Sequence, residues 1–260
     1  MSIVRTIGEL VSAERLGAAI TVVSGPNIGL KAVIDADAGV VTGEIPTDIR
    51  SDILADATAL MDHEQNRTLS YGDNEVYIET LAPPPVLLIF GAGHVAQPLS
   101  VIAKQLGFRV IVADARAAWA TDERFPGVDH LIVAWPDAVF EKVDLDRRTY
   151  VVLLSHDTRF EKPVYPKVLG SSVRYIGAMG SRRTHRERTA RLRAEGWSGS
   201  EVERIHGPVG LDIGAETPAE MAVAILAEMI QKRYGHGSGL SLRGTAGRIH
   251  TQRGEEAGTA

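Results

Sequence analysis

Five consecutive apolar residues, Val86-Leu87-Leu88-Ile89-Phe90, run straight into Gly91-Ala92-Gly93-His94-Val95-Ala96, and no other feature restricts the fold as tightly. A continuous apolar run of this length, bounded by a turn, reads as a strand covered on both faces, as in a parallel sheet. The segment beyond the loop, Val95 to Leu106, has helical spacing and stops at Gly107, a C-terminal signal. Strand, glycine turn and helix form the context in which such a loop binds phosphate. Gly91 permits the tight turn, Gly93 lets a pyrophosphate approach the backbone, and Ala96 takes the close-packing place of a third glycine. The amides and dipole at the helix start favour an anion there. His94 lies inside the loop and joins the same cofactor-binding set. Asp114 closes the next apolar run, 23 residues after Gly91, where an acidic residue usually holds a ribose diol. Arg116 either accepts a 2′-phosphate or pairs with Asp114. The bland alternative is a fold that packs this way and has lost its ligand.

Pro83-Pro84-Pro85 marks the clearest boundary, because three prolines remove three backbone donors and favour a stiff extended connection. Residues 1–82 read as a small α+β unit. Ile3 to Leu16 has helical spacing, and Ala18 to Val23 reads as a buried strand ended by Ser24-Gly25-Pro26. Leu30 to Ile34 and Gly39 to Thr42 form an expected hairpin, Pro46 to Met61 a helix, and Val76 to Ile78 a last strand. Residues 86–234 then alternate strand and helix. Apolar runs at Arg109–Ala113, His130–Ala134, Tyr150–Leu154 and Arg174–Ile176 recur at a spacing of roughly twenty residues, which leaves room for crossover helices. The expected fold class is α/β, a Rossmann-like doubly wound parallel sheet preceded by the small α+β unit. Residues 235–260, rich in Gly, Ser, Thr and Arg, read as a disordered tail.

Composition removes several chemistries. The chain of 260 residues has no cysteine, which excludes disulfides, thiolate metal sites and cysteine nucleophiles from it. Its eight histidines form no close pair at helical spacing, so no metal site is expected. A net charge of −5 gives no support to nucleic-acid binding. No apolar run approaches the ~20 residues of a membrane span. Met1 to Leu10 lacks a basic region followed by an apolar core, so the expected location is cytoplasmic.

Three further motifs carry candidate chemistry. In Gly177-Ala178-Met179-Gly180-Ser181-Arg182-Arg183, a strand ends in a glycine turn and Ser181 serves as N-cap of a helix running to Glu195. Arg182 and Arg183 sit at its positive end, where cations are unfavourable unless an anion answers them. Gly180, Ser181 and Arg182 therefore mark a second candidate anion site, while Arg188 to Arg193 read as a solvated basic face. Ser155-His156-Asp157 follows the fourth run, at the edge where open α/β sheets bind ligands. His156 as proton shuttle, oriented by Asp157, is one reading, and capping of the next helix is the other. In Glu216-Thr217-Pro218-Ala219-Glu220, Thr217 and Glu220 form a capping box, and Glu216 lies outside it, free to meet a ligand. Gly180 and Glu216 are expected to face the crevice beside the Gly91 loop.

These segments, in this order, closely resemble the XdhC/CoxI family of xanthine dehydrogenase accessory proteins. The resemblance covers about residues 86 to 232 and is carried by four motifs: Gly91–Ala96, Ser155–Asp157, Tyr175–Arg183 and the distinctive Gly207–Glu220 stretch. It implies a chaperone that binds molybdenum cofactor (molybdopterin), holds it while a sulfido ligand is installed, and delivers it to an apo molybdenum hydroxylase. The implied partners are that apo-enzyme and a cysteine desulfurase-type sulfur donor; a homodimer, with the amino-terminal unit as its interface, is a separate expectation. Two phosphate-suited loops fit a pterin phosphate, or a cytosine or guanine dinucleotide form of the cofactor. Relatives carry a cysteine-containing glycine-rich segment ending in glutamate; the matching stretch here is Val41-Thr42-Gly43-Glu44-Ile45-Pro46, without cysteine. No thiolate of this chain holds the molybdenum. Glu161 stands where the family often has an aspartate.

Two other functions compete with this one. An NAD(P)-dependent oxidoreductase would use the Gly91 loop and Asp114, with His156 as the obvious proton-transfer group. A ligand-free scaffold would keep only the fold. A binding and transfer protein leads over a catalyst.

Overall fold

The computed structural model of the chain describes residues 2–155, 157–235 and 237–244. The first part comprises α1 (Ile3–Ser12), β1 (Gly17–Ser24), β2 (Lys31–Asp35), β3 (Gly39–Gly43), α2 (Arg50–Asp62), β4 (Arg67–Tyr71) and β5 (Asn74–Leu81). Its five strands form an antiparallel sheet in the order β3-β2-β1-β5-β4. The hairpin expected around Asp35 is present, and Asp35 Oδ1 closes it by accepting from the N–H groups of Asp37 and Ala38. Ile53, Ala57, Leu60 and Met61 give α2 one apolar face, buried against Ala18, Ile20, Val22, Val76 and Ile78. This helix starts at Arg50, later than the Pro46 expected. Strand β4, Arg-Thr-Leu-Ser-Tyr, was not foreseen, since its polar residues carry no apolar run. The available signal was the two-residue Gly72-Asp73 turn that joins it to β5, with Tyr71 paired to Asn74.

The second part contains β6 (Val86–Phe90), α3 (Ala96–Gln105), β7 (Arg109–Asp114), β8 (His130–Val133), α4 (Pro136–Phe140) and β9 (Thr149–Leu153). It continues with α5 (Thr158–Glu161), α6 (Val164–Leu169), β10 (Tyr175–Ala178), α7 (Arg182–Ala194), α8 (Gly199–Glu203), β11 (Ile205–His206) and α9 (Pro218–Tyr234). Six parallel strands lie in the order β11-β10-β9-β6-β7-β8. Counted from β6, this is the 3-2-1-4-5-6 order of doubly wound dinucleotide folds. The apolar run of β6 is explained by its two covered faces. Leu87 and Ile89 pack with α3 and α9, through Leu99, Ala103, Ile225 and Met229. Leu88 and Phe90 pack the other way, against Val139, Phe160, Val164 and Val168. Each such side chain taken out of water is worth about 1.5–3 kcal/mol.

Two expectations are corrected. Residues 115–129, between β7 and β8, contain no helix. Their backbone is held instead by Arg124, whose Nη1 donates to the carbonyls of Trp119 and Ala92, at 2.6 and 3.0 Å. The basic face of α7 is not uniformly solvated, because Arg188 is buried and paired to Glu161. Helix α9 starts as its sequence reads, with Thr217 and Glu220 in a capping box and Pro218 in the first turn, and ends at Gly235 in the left-handed region. Of the tail, Gly235 and residues 237–244 are described, including a 3-10 turn at Leu242–Gly244. Residues 245–260 lie outside the described residues. The two sheets are bridged by ion pairs of Glu14 with Arg109, Asp37 with Arg147, and Glu64 with Arg233.

Candidate cofactor-binding site

The strand order reverses between β6 and β9, and at such a switch point the loops leaving neighbouring strands diverge and open a crevice at their carboxyl ends. A cavity of about 700 Å³ lies there. It takes residues from all five strands around the reversal: Gly93 and His94 after β6, Arg116 and Trp119 after β7, Trp135 after β8, Ser155 and Asp157 after β9, and Met179 after β10. Its size falls in the range of small-molecule and cofactor pockets, about 300–1,000 Å³.

The two glycines of the first loop have different reasons to be glycine. Gly91 has φ +106°, and a Cβ there would meet the Ser155 backbone nitrogen at 2.9 Å. It is needed by the fold itself. Gly93 has no such constraint, and a Cβ there would stand in open space beside the cavity. Its bareness leaves the backbone approachable. Val95, the residue before α3, offers no side-chain cap to the helix amides, so the N–H groups of Ala96 and Gln97 stay open to an anion, while Pro98 in the same turn supplies none. Ala96 is fully buried, as the close-packing position requires.

Asp114 is 3% exposed. Its Oδ2 accepts from the Ala92 N–H at 2.8 Å and from Arg116 Nη2 at 2.7 Å; its Oδ1 accepts from the Arg116 N–H and Nε, each at 2.9 Å. Burial pushes the carboxyl up, but the hydrogen bonds from Arg116 and Ala92 outweigh it and hold Asp114 below the usual aspartate range. Arg116 therefore pairs with Asp114 in this structure. Its guanidinium also lies over Trp119, 4.9 Å from the ring centroid, and that of Arg124 lies 4.8 Å away. The His94 ring meets Trp119 edge-on at 5.6 Å.

The same Asp-x-Arg geometry recurs after β9. Asp157 is the N-cap of α5 and accepts from the Arg159 N–H at 2.9 Å, from its Nε at 3.1 Å and from its Nη2 at 2.8 Å. Those bonds, the side-chain one first, hold Asp157 below the usual range. Asp157 thus caps and carries a fixed negative charge. Its expected companion His156 lies outside the described residues.

The structure gathers Gly93, His94, Asp114 and Asp157 around the cavity, with Gly91 just behind it. It does not bring Gly180, Ser181, Arg182 or Glu216 to the cavity wall. Ser181 is the N-cap of α7 and accepts from the Thr184 N–H, while Arg182 is exposed one residue further on. The Glu216 N–H donates to Glu220 Oε2, which extends the capping box by one residue. Among the cavity residues missed in the sequence are Trp119, Trp135, Arg159 and Phe160. The second Asp-x-Arg would have flagged Arg159, and Trp135 sits two residues past the end of β8.

The family model described as "XdhC Rossmann domain" matches residues 87–229, more than half of the chain. The chain belongs to this family. It is 36% identical over 159 residues to a Bacillus subtilis protein named as a probable xanthine dehydrogenase subunit, covering 61% of this chain and 46% of the relative. It is 34% identical over 125 residues to the "Molybdenum cofactor insertion chaperone PaoD" of Escherichia coli, covering 48% of this chain and 38% of the relative. The chain thus spans less than half the length of these curated relatives. A crystal structure from Bacillus halodurans, described as a xanthine dehydrogenase, superposes with a TM-score of 0.52 at 20% identity, covering 89% of this chain and 94% of that one. That likeness shows the shared fold. No helix among the described residues is long and apolar enough to cross a membrane.

Proposed function

We propose that this member of the XdhC Rossmann-domain family is a maturation factor that takes molybdenum cofactor as cargo in the switch-point cavity and passes it to an apo molybdenum hydroxylase of the xanthine dehydrogenase type. The observation that carries the reading is Gly93: a bare backbone beside the cavity, next to a helix start that no side chain caps. A cargo phosphate would lie against those amides. Trp135, exposed at the cavity, offers a flat apolar surface that a pterin ring system packs on, while Trp119 is already stacked by the guanidiniums of Arg116 and Arg124. Both carboxylates of the cavity are engaged by arginines, an arrangement for holding a ligand rather than for moving a proton. With no cysteine in the chain, this reading has no thiolate of its own on the metal. It requires two partners, the apo-enzyme and a donor of the cysteine desulfurase kind.

Purification from a host that makes the cofactor, with molybdenum counted by mass spectrometry, tests the reading. Wild-type protein is expected to retain molybdenum, and Gly93→Val to lose it while keeping its circular dichroism spectrum. Wild-type protein that carries no molybdenum and fails to activate an apo-hydroxylase refutes it. The strand order also favours a second reading, an NAD(P)-dependent oxidoreductase. Fluorescence titration with reduced nicotinamide nucleotides decides that one, since no binding at millimolar concentration removes it.

A further inference from the structure

We infer that the β7 end of the cavity selects a phosphomonoester and discriminates against a free ribose diol, with Arg116 as the residue that decides. The inference rests on the reading of this cavity as a ligand site and adds which ligand chemistry it takes.

In doubly wound nucleotide sites the acid at the end of the second strand accepts hydrogen bonds from the ribose hydroxyls. To do so it needs free lone pairs. An ionised carboxylate offers about four acceptor sites. Asp114 is kept ionised, and four donors already fill it: the N–H groups of Ala92 and Arg116, and Nε and Nη2 of Arg116. Two of these donors are backbone N–H groups fixed by the strand and the loop, and the other two form a bidentate fork. A diol arriving at this point would have to displace the guanidinium before either hydroxyl could donate.

Arg116 shows the opposite balance. Of the five N–H groups of an arginine, two point at Asp114, and no other acceptor among the described residues takes the remaining three. The side chain is 56% exposed, lines the cavity, and is steadied over Trp119 at 4.9 Å. The wall here is therefore a surface of donors with its acceptor spent. A phosphate group has only acceptor oxygens to offer and matches it, preferably in the two-pronged manner of guanidinium and phosphate. A diol has two donors for which this wall keeps no free acceptor, and a donor left without its acceptor is what produces selectivity. Arg159 lines the same cavity and is held by Asp157 in the same fork, with Asp157 also acting on Arg116, so the mouth presents two guanidiniums whose own carboxylates are occupied.

The test uses two probes with equal phosphate count: adenosine 2′,5′-bisphosphate, whose diol is blocked by a phosphate, and adenosine 5′-diphosphate, whose diol is free. Binding is read by calorimetry, with quenching of the cavity tryptophans as a second signal. Wild-type protein is expected to bind the bisphosphate at least about tenfold tighter, about 1.4 kcal/mol. In Arg116→Gln the gap closes, and the diphosphate binds more tightly than to wild type because Asp114 is released. Arg116→Lys keeps the charge without the fork and falls between. Equal or tighter wild-type binding of the diphosphate overturns the inference while leaving the cavity a ligand site. If neither probe binds, the inference is overturned and nucleotide phosphates are removed from the cavity, without touching retention of molybdenum.

Discussion

Removing one partner of the Glu161–Arg188 pair should destabilise the parallel-sheet region far more than removing both. The side chains are 7% and 2% exposed. Arg188 Nη2 donates to Glu161 Oε1 at 3.0 Å and to the Met179 carbonyl at 2.9 Å, and Nε donates to Glu161 Oε2 at 3.4 Å. The pair ties α5 to α7, and the bond to Met179 adds the segment leading into α7, behind Phe160 and Met179 of the cavity wall. Glu161→Met leaves a guanidinium buried without its counter-charge, and Arg188→Met leaves a carboxylate in the same position. Each is expected to cost about 3–5 kcal/mol, a large part of the 5–15 kcal/mol that a domain has. The double substitution leaves no orphan charge. Its main loss is the donor to the Met179 carbonyl, about 1–3 kcal/mol. The double variant should therefore fall at least about 3 kcal/mol short of the summed single costs. All three tryptophans of the chain, Trp119, Trp135 and Trp197, lie after Pro85. Urea unfolding followed by their fluorescence reports that part of the chain directly. Additive costs, or single costs under about 1 kcal/mol, would refute the reasoning, because they would mean that water reaches the pair.

Gly91→Ala places a Cβ 2.9 Å from the Ser155 nitrogen at φ +106°; it should cost about 1–3 kcal/mol or more in thermal unfolding, where Gly93→Ala costs under about 1 kcal/mol. Glu228 accepts from Tyr175 Oη at 2.5 Å, from the Gly210 N–H at 2.9 Å and, through its other oxygen, pairs with His206 Nδ1 at 3.2 Å. Burial raises its carboxyl, but these bonds outweigh it and hold it below the ordinary value of 4.5. Its contribution is therefore fully present above that value and lost as pH falls through the lower folded value. Wild type should exceed Glu228→Gln by about 1–3 kcal/mol at neutral pH, and urea midpoints measured down an acid series should converge. Thr217→Ala removes the side-chain acceptor of the α9 capping box, and chemical denaturation should register a loss of about 0.5–2 kcal/mol.

The sequence determined on its own those elements whose signal is local. Both faces of β6 had to be covered because Leu87 to Phe90 leave no polar alternation, and Gly91, Ala96 and Thr217-Pro218 announced a turn, a packing contact and a helix start by steric and capping rules that act within a few residues. Strand β4 stayed hidden because its inward face amounts to Leu69 and Tyr71 alternating with exposed Thr68 and Ser70, too short a pattern to stand out, and β11 because two residues at a sheet edge carry no period at all. The site was legible only as a set of separate candidates. Arg116 turns back onto Asp114, two residues away, a contact that the Asp-x-Arg spacing allowed without deciding it. Whether Arg188 faced water depended on α7 lying against α5, which set Glu161 opposite it. Tertiary structure alone made that last choice, because a buried charge takes its partner from across the fold, and periodicity along the chain says nothing about what lies opposite.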